Sequence, residues 1–178
     1  MNSYNQKILI VDDIEDNRFT LERRLSRTGY TSISQADCGK KALELVKKES
    51  FDLILLDLMM PDISGLDVLK ILKSDPKNRS IPVVMVTAAD EIDTTAECIS
   101  HGADDYITKP VNATLLKARV SACLEKKRFR DSEEHYLTKV EADKKRTQTF
   151  LKQILPEKIA EELNSSGLVR PRKYEDIA

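Results

Sequence analysis

Residues 51–65 read FDLILLDLMMPDISG, and this stretch decides the fold. Leu53, Ile54, Leu55 and Leu56 form an unbroken apolar run. It is too short to span a membrane and does not alternate, which suits a strand buried on both faces of a parallel sheet. Asp57 stands at its end, and Met59-Met60-Pro61-Asp62 followed by Gly65 reads as a loop and turn. A carboxylate at the carboxyl edge of such a strand lies where open α/β sheets bind ligands.

Three further runs end in the same manner. Lys7–Val11 leads into Asp12-Asp13, Pro82–Val86 into Thr87, and Asp105–Thr108 into Lys109-Pro110. Strand-like runs alternating with helical patterns favour a parallel sheet, which gathers three acids, a hydroxyl and an ammonium at one crevice. Clustered carboxylates repel one another unless a cation joins them, and an all-oxygen set favours a hard divalent ion such as Mg2+. A carboxylate can also attack phosphorus to form an aspartyl phosphate, whose oxygens a lysine and a threonine would stabilise. Taken singly, each residue has a plainer role: Asp12-Asp13 as turn and cap residues, Thr87 as a strand former, Lys109 as a solvated surface charge.

In order and spacing, Asp12-Asp13, Asp57 within LLDLMMPDISG, Thr87-Ala88 and Lys109-Pro110 resemble the receiver domain of two-component response regulators. The resemblance covers residues 5 to about 125. It implies a doubly wound, flavodoxin-like α/β fold with a five-stranded parallel sheet. By position, Asp57 resembles the phosphoacceptor, and Asp13 and Asp57 with the Met59 carbonyl resemble direct Mg2+ ligands, with Asp12 acting mostly through water. Lys109 resembles the phosphate-pairing lysine, and Thr87 and Tyr106 resemble the switch pair. A cis Lys109–Pro110 bond is implied by the resemblance alone. The implied partner is a histidine kinase or phosphotransfer protein. Met59 and Ala89 occupy positions that vary within the family, and neither can activate an attacking water.

The expected elements follow in order. Helices are predicted over 17–28, with Phe19, Leu21 and Leu25 toward one face, over 39–49, from Ser64 or Gly65 to before Pro76, and over 91–101. Residues 30–36 read as a weaker strand. The last helix has no natural stop: between Ala113 and Glu162 there is no glycine, and the one proline is Pro156. Phe129, Tyr136, Val140, Thr147, Phe150 and Ile154 recur at three- and four-residue steps, with Glu133 and Asp143 as polar interruptions and Leu137 and Leu151 alongside. That approximates a heptad seam, and a helix of roughly fifty residues would extend about 75 Å, leaving its distal stripe to meet another chain or water. A homodimeric coiled coil is therefore expected.

The end of the chain, ILPEKIAEELNSSGLVRPRKYEDIA over 154–178, reads locally as helix, turn and strand onset. It resembles the segment that precedes class III adenylate/guanylate cyclase domains, carrying LP-x-x-IA-x-x-L and V-x-P-x-x-Y-x-D. The expected organisation is a receiver over 1–125, a helical coiled-coil linker over 126–155, and a cyclase-transducer-like segment over 156–178. The chain is then the regulatory part of a longer protein and makes no cyclic nucleotide itself; the C-terminal cyclase would be its output partner. A response regulator acting alone or through protein–protein binding is the alternative. A Mg2+-dependent phosphatase or mutase is disfavoured, because Leu58 and Met59 follow Asp57 where such enzymes carry a D-x-D acid.

Composition narrows the classes. With 29 basic and 30 acidic residues among 178, the net charge of −1 makes no electrostatic case for nucleic acid. The tail beyond residue 125 is mildly basic, with 13 basic against 10 acidic side chains, too few for a nucleic-acid arm. No run approaches the ~18 apolar residues of a membrane span. The N-terminus lacks a signal-peptide core, and Cys38, Cys98 and Cys123 show no metal-ligand spacing, which fits a reducing, cytoplasmic setting. The cysteines read as small core residues, and His101 and His135 as solvated.

Overall fold

The computed structural model describes residues 6–88 and 92–154. The elements run β1 (Lys7–Val11), α1 (Glu15–Arg27), β2 (Ser32–Ala36), α2 (Gly39–Lys48), β3 (Leu53–Asp57), α3 (Gly65–Ser74), β4 (Val83–Thr87), α4 (Ile92–Ser100), β5 (Asp105–Thr108) and α5 (Ala113–Ile154). All pairings are parallel, in the order β2-β1-β3-β4-β5. The order reverses between β1 and β3, so a crevice opens at their carboxyl ends.

The non-alternating strands are explained by two cores, one on each face of the sheet. Leu9, Val11, Ile54, Leu56, Val83 and Met85 pack with Ala42 and Val46 of α2, Val68, Leu69 and Leu72 of α3, and Cys98 of α4. Ile8, Ile10, Leu53, Leu55, Val84 and Val86 point the other way, onto Leu21 and Leu25 of α1 and Leu116, Val120 and Leu124 of α5. Successive side chains of a strand face opposite sides, so a run such as Leu53–Leu56 serves both cores at once. Each fully buried leucine or isoleucine contributes roughly 1.5–3 kcal/mol of transfer free energy.

Helix ends follow local chemistry. Ser64 caps α3 by accepting the Asp67 N–H. Gly29 and Gly102 close α1 and α4 at φ of 100° and 97°, the left-handed region that glycine enters without steric cost. One apolar residue falls off its predicted face. Phe19 is exposed, because it lies two residues, about 200° of helix, from the buried Leu21. Ile71 is likewise exposed beside the buried stripe Val68, Leu69 and Leu72. Cys38 is half-buried at the N-cap of α2, whereas Cys98 and Cys123 are core residues; none of the three forms a disulfide. Tyr30 precedes β2 and is buried against the α1–α5 face.

The chain divides into two compact units, residues 1–130 and 131–178. α5 remains helical to Ile154, in keeping with its glycine-free sequence. Within it Phe129, Tyr136, Leu137, Val140 and Phe150 are exposed. The cyclase-like pattern over 155–178 lies outside the described residues.

Candidate functional site

The carboxyl ends of β1 and β3 carry the acids. Asp12 is fully buried, Asp57 is buried and Asp13 is exposed, and ligand atoms of all three lie within 4.8 Å of one another. Lys109, just past β5, reaches across with its Nζ 2.7 Å from Asp57 Oδ1 and 3.0 Å from Asp12 Oδ2. Its own backbone is anchored where its N–H donates to the Thr87 carbonyl at 2.7 Å, and the Lys109–Pro110 peptide is cis. Thr87 is buried at the end of β4, next to β3. Met59 sits two residues beyond Asp57 with its side chain exposed.

The hydrogen bonds divide the acids by task. Asp12 Oδ1 accepts from the Ile14 N–H at 2.9 Å and from Asn17 Nδ2 at 3.0 Å; Oδ2 accepts from Asn17 Nδ2 at 3.0 Å and pairs with Lys109. Both oxygens are thus saturated, which fits an acid that acts on a cation through water. Asp57 Oδ1 accepts from the Leu58 N–H at 3.0 Å and from Lys109. Neither donor engages Oδ2, which leaves that oxygen for chemistry. Burial, countered in part by the Lys109 bond and reinforced by the charge of Asp12, pushes the Asp57 carboxyl up to about 6. The Lys109 ammonium is held above its ordinary value; burial opposes this, and its bonds to Asp57 and Asp12 outweigh it.

An all-oxygen set of crowded carboxylates matches what a hard divalent cation requires. The donor set fits Mg2+, with Asp13 and Asp57 as the carboxylates free to ligate.

Two contributors leave no trace in the sequence pattern. Asp62, in the loop after β3, accepts the N–H groups of Gly39 and Lys40 at 3.0 Å each. It thereby caps α2, whose own N-cap residue Cys38 supplies no side-chain cap bond. Those backbone bonds hold its carboxyl down at about 2. Arg18 of α1 donates through Nη1 to the carbonyls of Asp12 and Asp13 at 2.7 and 3.0 Å. Tyr106 on β5 is partly exposed, with the Arg119 guanidinium 5.6 Å from its ring centre and itself paired to Asp105.

A cavity of about 450 Å³ adjoins Asp12, lined also by Asn17, Thr20 and Leu21 of α1 and by Lys109, Pro110 and Val111 among others. No helix among the described residues is long and apolar enough to cross a membrane.

Comparison with known proteins accounts for this arrangement. Residues 8–121 match the family model described as the response regulator receiver domain. The response regulator PleD of Caulobacter vibrioides is 43% identical over 114 residues, 64% of this chain and 25% of PleD. The chain therefore spans about a quarter of that relative's length. Chemotaxis protein CheY-3 of Vibrio cholerae is 35% identical over 122 residues, 68% of this chain and 94% of CheY-3. Among solved structures, the receiver domain of Francisella response regulator 1452 superposes with a TM-score of 0.63 at 32% identity, covering 68% of this chain and 98% of that domain. With the sheet order, the acidic crevice and these matches in agreement, the chain belongs to the response regulator receiver domain family.

Proposed function

We propose that this chain receives a phosphoryl group on Asp57 from a phosphohistidine of a histidine kinase or phosphotransfer protein. The observation that carries the reading is the Lys109 ammonium bridging Asp57 and Asp12 beside the exposed Asp13. A carboxylate oxygen of Asp57 attacks phosphorus, the phosphorus–nitrogen bond of the donor breaks, and the imidazole leaves with the bonding electron pair. Asp13, Asp57 and the Met59 carbonyl would hold Mg2+, with Asp12 acting through water. When bound, the cation supplies charge that offsets the carboxylates and the phosphoryl oxygens. Lys109 pairs with a phosphoryl oxygen, and the Thr87 hydroxyl donates to another. Thr87 and Tyr106 then form the switch, the Tyr106 ring being free to exchange its partly exposed place by Arg119 for a buried one.

The output is read through the C-terminal helix. Residues 126–155 would pair in a homodimer and couple the receiver to a C-terminal adenylate/guanylate cyclase in a longer cytoplasmic protein, a reading supported by the sequence pattern of 154–178. The alternative, a receiver that works by binding another protein, draws on CheY-3, which the match nearly fills and whose name is that of a chemotaxis protein.

Incubation with Mg2+ and acetyl phosphate, followed by intact-mass analysis, tests the chemistry. Wild type should gain one acid-labile phosphoryl group and Asp57→Asn none, since an amide is not an anionic nucleophile. Equal labelling of both would overturn the assignment. Asp13→Asn should weaken Mg2+ binding and slow labelling; an unchanged Mg2+ titration would remove Asp13 from the site.

A further inference from the structure

We infer that Arg18 is a positioning residue for the metal site, aiming the Asp13 carboxylate through the main chain, and that Gln35 and Glu22 hold Arg18 in place. The two neighbouring acids differ in how they are held. Four contacts fix the Asp12 carboxylate, from the Ile14 N–H, from Asn17 to each oxygen, and from Lys109. Among the described residues, the exposed Asp13 carboxylate has neither a hydrogen bond nor an ion pair. The point from which it reaches toward the site is therefore set by the backbone that carries it.

That backbone is held from two sides. The Asp12 N–H donates to the Ala36 carbonyl of β2 at 3.2 Å. The carbonyls of Asp12 and Asp13 both turn to a single Arg18 nitrogen, at 2.7 and 3.0 Å. Fixing two successive carbonyls fixes both peptide planes that follow these residues, and with them the Cα–Cβ bond of Asp13. A charged donor makes these bonds stronger than neutral ones.

The guanidinium is itself oriented. Its Nε donates to Gln35 Oε1 at 3.2 Å, and Gln35 Nε2 donates to Glu22 Oε2 at 2.6 Å. Glu22 lies four residues, one helical turn, beyond Arg18 on α1, while Gln35 is on β2, so the chain of bonds ties helix to sheet. The planar fork of arginine suits this task, because Nη1 and Nε act in different directions at once. An ammonium offers no such fixed pair. The arrangement parallels the supporting partners of metal ligands in general, which set a ligand's orientation without touching the ion.

The inference rests on Asp57 and Asp13 forming the proposed Mg2+ site, and its test keeps both residues intact. Titration calorimetry of Arg18→Ala with Mg2+ should show affinity lowered roughly tenfold, the lower end of the range for lost supporting partners. The Mg2+ concentration for half-maximal labelling by acetyl phosphate should rise by the same factor, with the rate at saturating Mg2+ within about twofold of wild type. In the metal-free protein, amides over 12–15 should exchange faster. Arg18→Lys should not restore Mg2+ affinity, and Gln35→Ala should lower it in the same direction by less, which keeps the test available if Arg18→Ala folds poorly. Mg2+ affinity within about twofold of wild type in folded Arg18→Ala and Gln35→Ala proteins overturns the inference, as does a fall in the saturated rate at unchanged affinity. Failure of the underlying site reads out separately, as equal labelling of wild type and Asp57→Asn.

Discussion

A methyl group built on Gly65 would stand 2.0 Å from the carbonyl oxygen of Asp57. The first residue of α3 therefore lies against the peptide that carries the candidate nucleophile, and the Gly65 N–H donates to the Leu58 carbonyl at 2.8 Å. No side chain fits without moving backbone. Gly65→Ala should destabilise the protein by about 1–3 kcal/mol, the usual cost of overpacking, and should slow labelling of Asp57. Denaturant melts and acetyl phosphate labelling of the same preparation would check both, and a variant unchanged in both would show that the loop yields freely.

Asp62 joins the same loop to α2. Removing its cap in Asp62→Ala should cost about 1 kcal/mol near neutral pH, within the range for helix N-caps. The carboxyl is held at about 2 in the fold against an ordinary 3.8. Its contribution is thus fully present above pH 3.8 and is lost as pH falls through about 2. The stability gap between wild type and Asp62→Ala should be constant from pH 5 to 7 and narrow in acid, as followed by urea titration at each pH.

What the sequence made legible, and what it did not, follows from the kind of contact involved. Leu53–Leu56 and Ile8–Val11 announce doubly buried strands because every side chain of such a strand must be apolar. The acids at their ends become a cluster once the sheet is parallel, so Asp12, Asp13, Asp57, Thr87 and Lys109 could be named from order alone. Asp62 and Arg18 could not. One bonds backbone N–H groups some twenty residues away in sequence, at separations of 23 and 22 residues, and the other bonds backbone carbonyls. Backbone groups are the same at every position, so neither bond leaves a pattern of residue types. Phe19 misled for a related reason: an apolar residue on a short helix is assigned to the core by chemistry, while its angle from Leu21 decides its exposure.

The Asp57 carboxyl gives a pH signature of the opposite sign. Its folded value of about 6 lies above the ordinary 3.8, so the fold without metal binds the proton more tightly than the unfolded chain does. The associated stability is fully present below pH 3.8 and is lost as pH rises through about 6. Mg2+ competes with that proton, so stabilisation by Mg2+ should grow as pH rises from 5 to 7. Asp57→Asn should flatten both trends in thermal melts with and without Mg2+. Lys109 lowers the Asp57 value, so Lys109→Ala should move the midpoint above about 6. That variant should still accept some phosphoryl group from acetyl phosphate while losing the phosphorylation-dependent change in hydrogen exchange around Tyr106. A wild-type exchange response in Lys109→Ala would reduce Lys109 to a partner of the unphosphorylated acids.

The exposed stripe of α5 makes the last prediction, that two copies of the chain pair through it. Placing Phe129, Tyr136, Asp143 and Phe150 at d positions puts Glu133, Val140, Thr147 and Ile154 at a positions, a register in which apolar and polar layers mix. Phe129, Tyr136 and Phe150 are 77%, 67% and 62% exposed, large aromatic surfaces whose burial is worth more than that of any other residues in the stripe. A d-position side chain in a parallel pair packs beside the partner's e position, which here is Lys144. Each Asp143 would therefore face its own copy across the seam with a lysine beside it, and the lysines offset that repulsion without making the contact strong. Sedimentation equilibrium should find the full chain in a reversible dimer, and truncation after Lys127 should weaken it. Phe150→Glu should lower dimer affinity by about tenfold or more by placing a charge in an apolar layer, whereas Asp143→Leu should raise it. A full chain that stays monomeric at high concentration, or a truncated chain that dimerises equally well, would place the dimer contact elsewhere or nowhere.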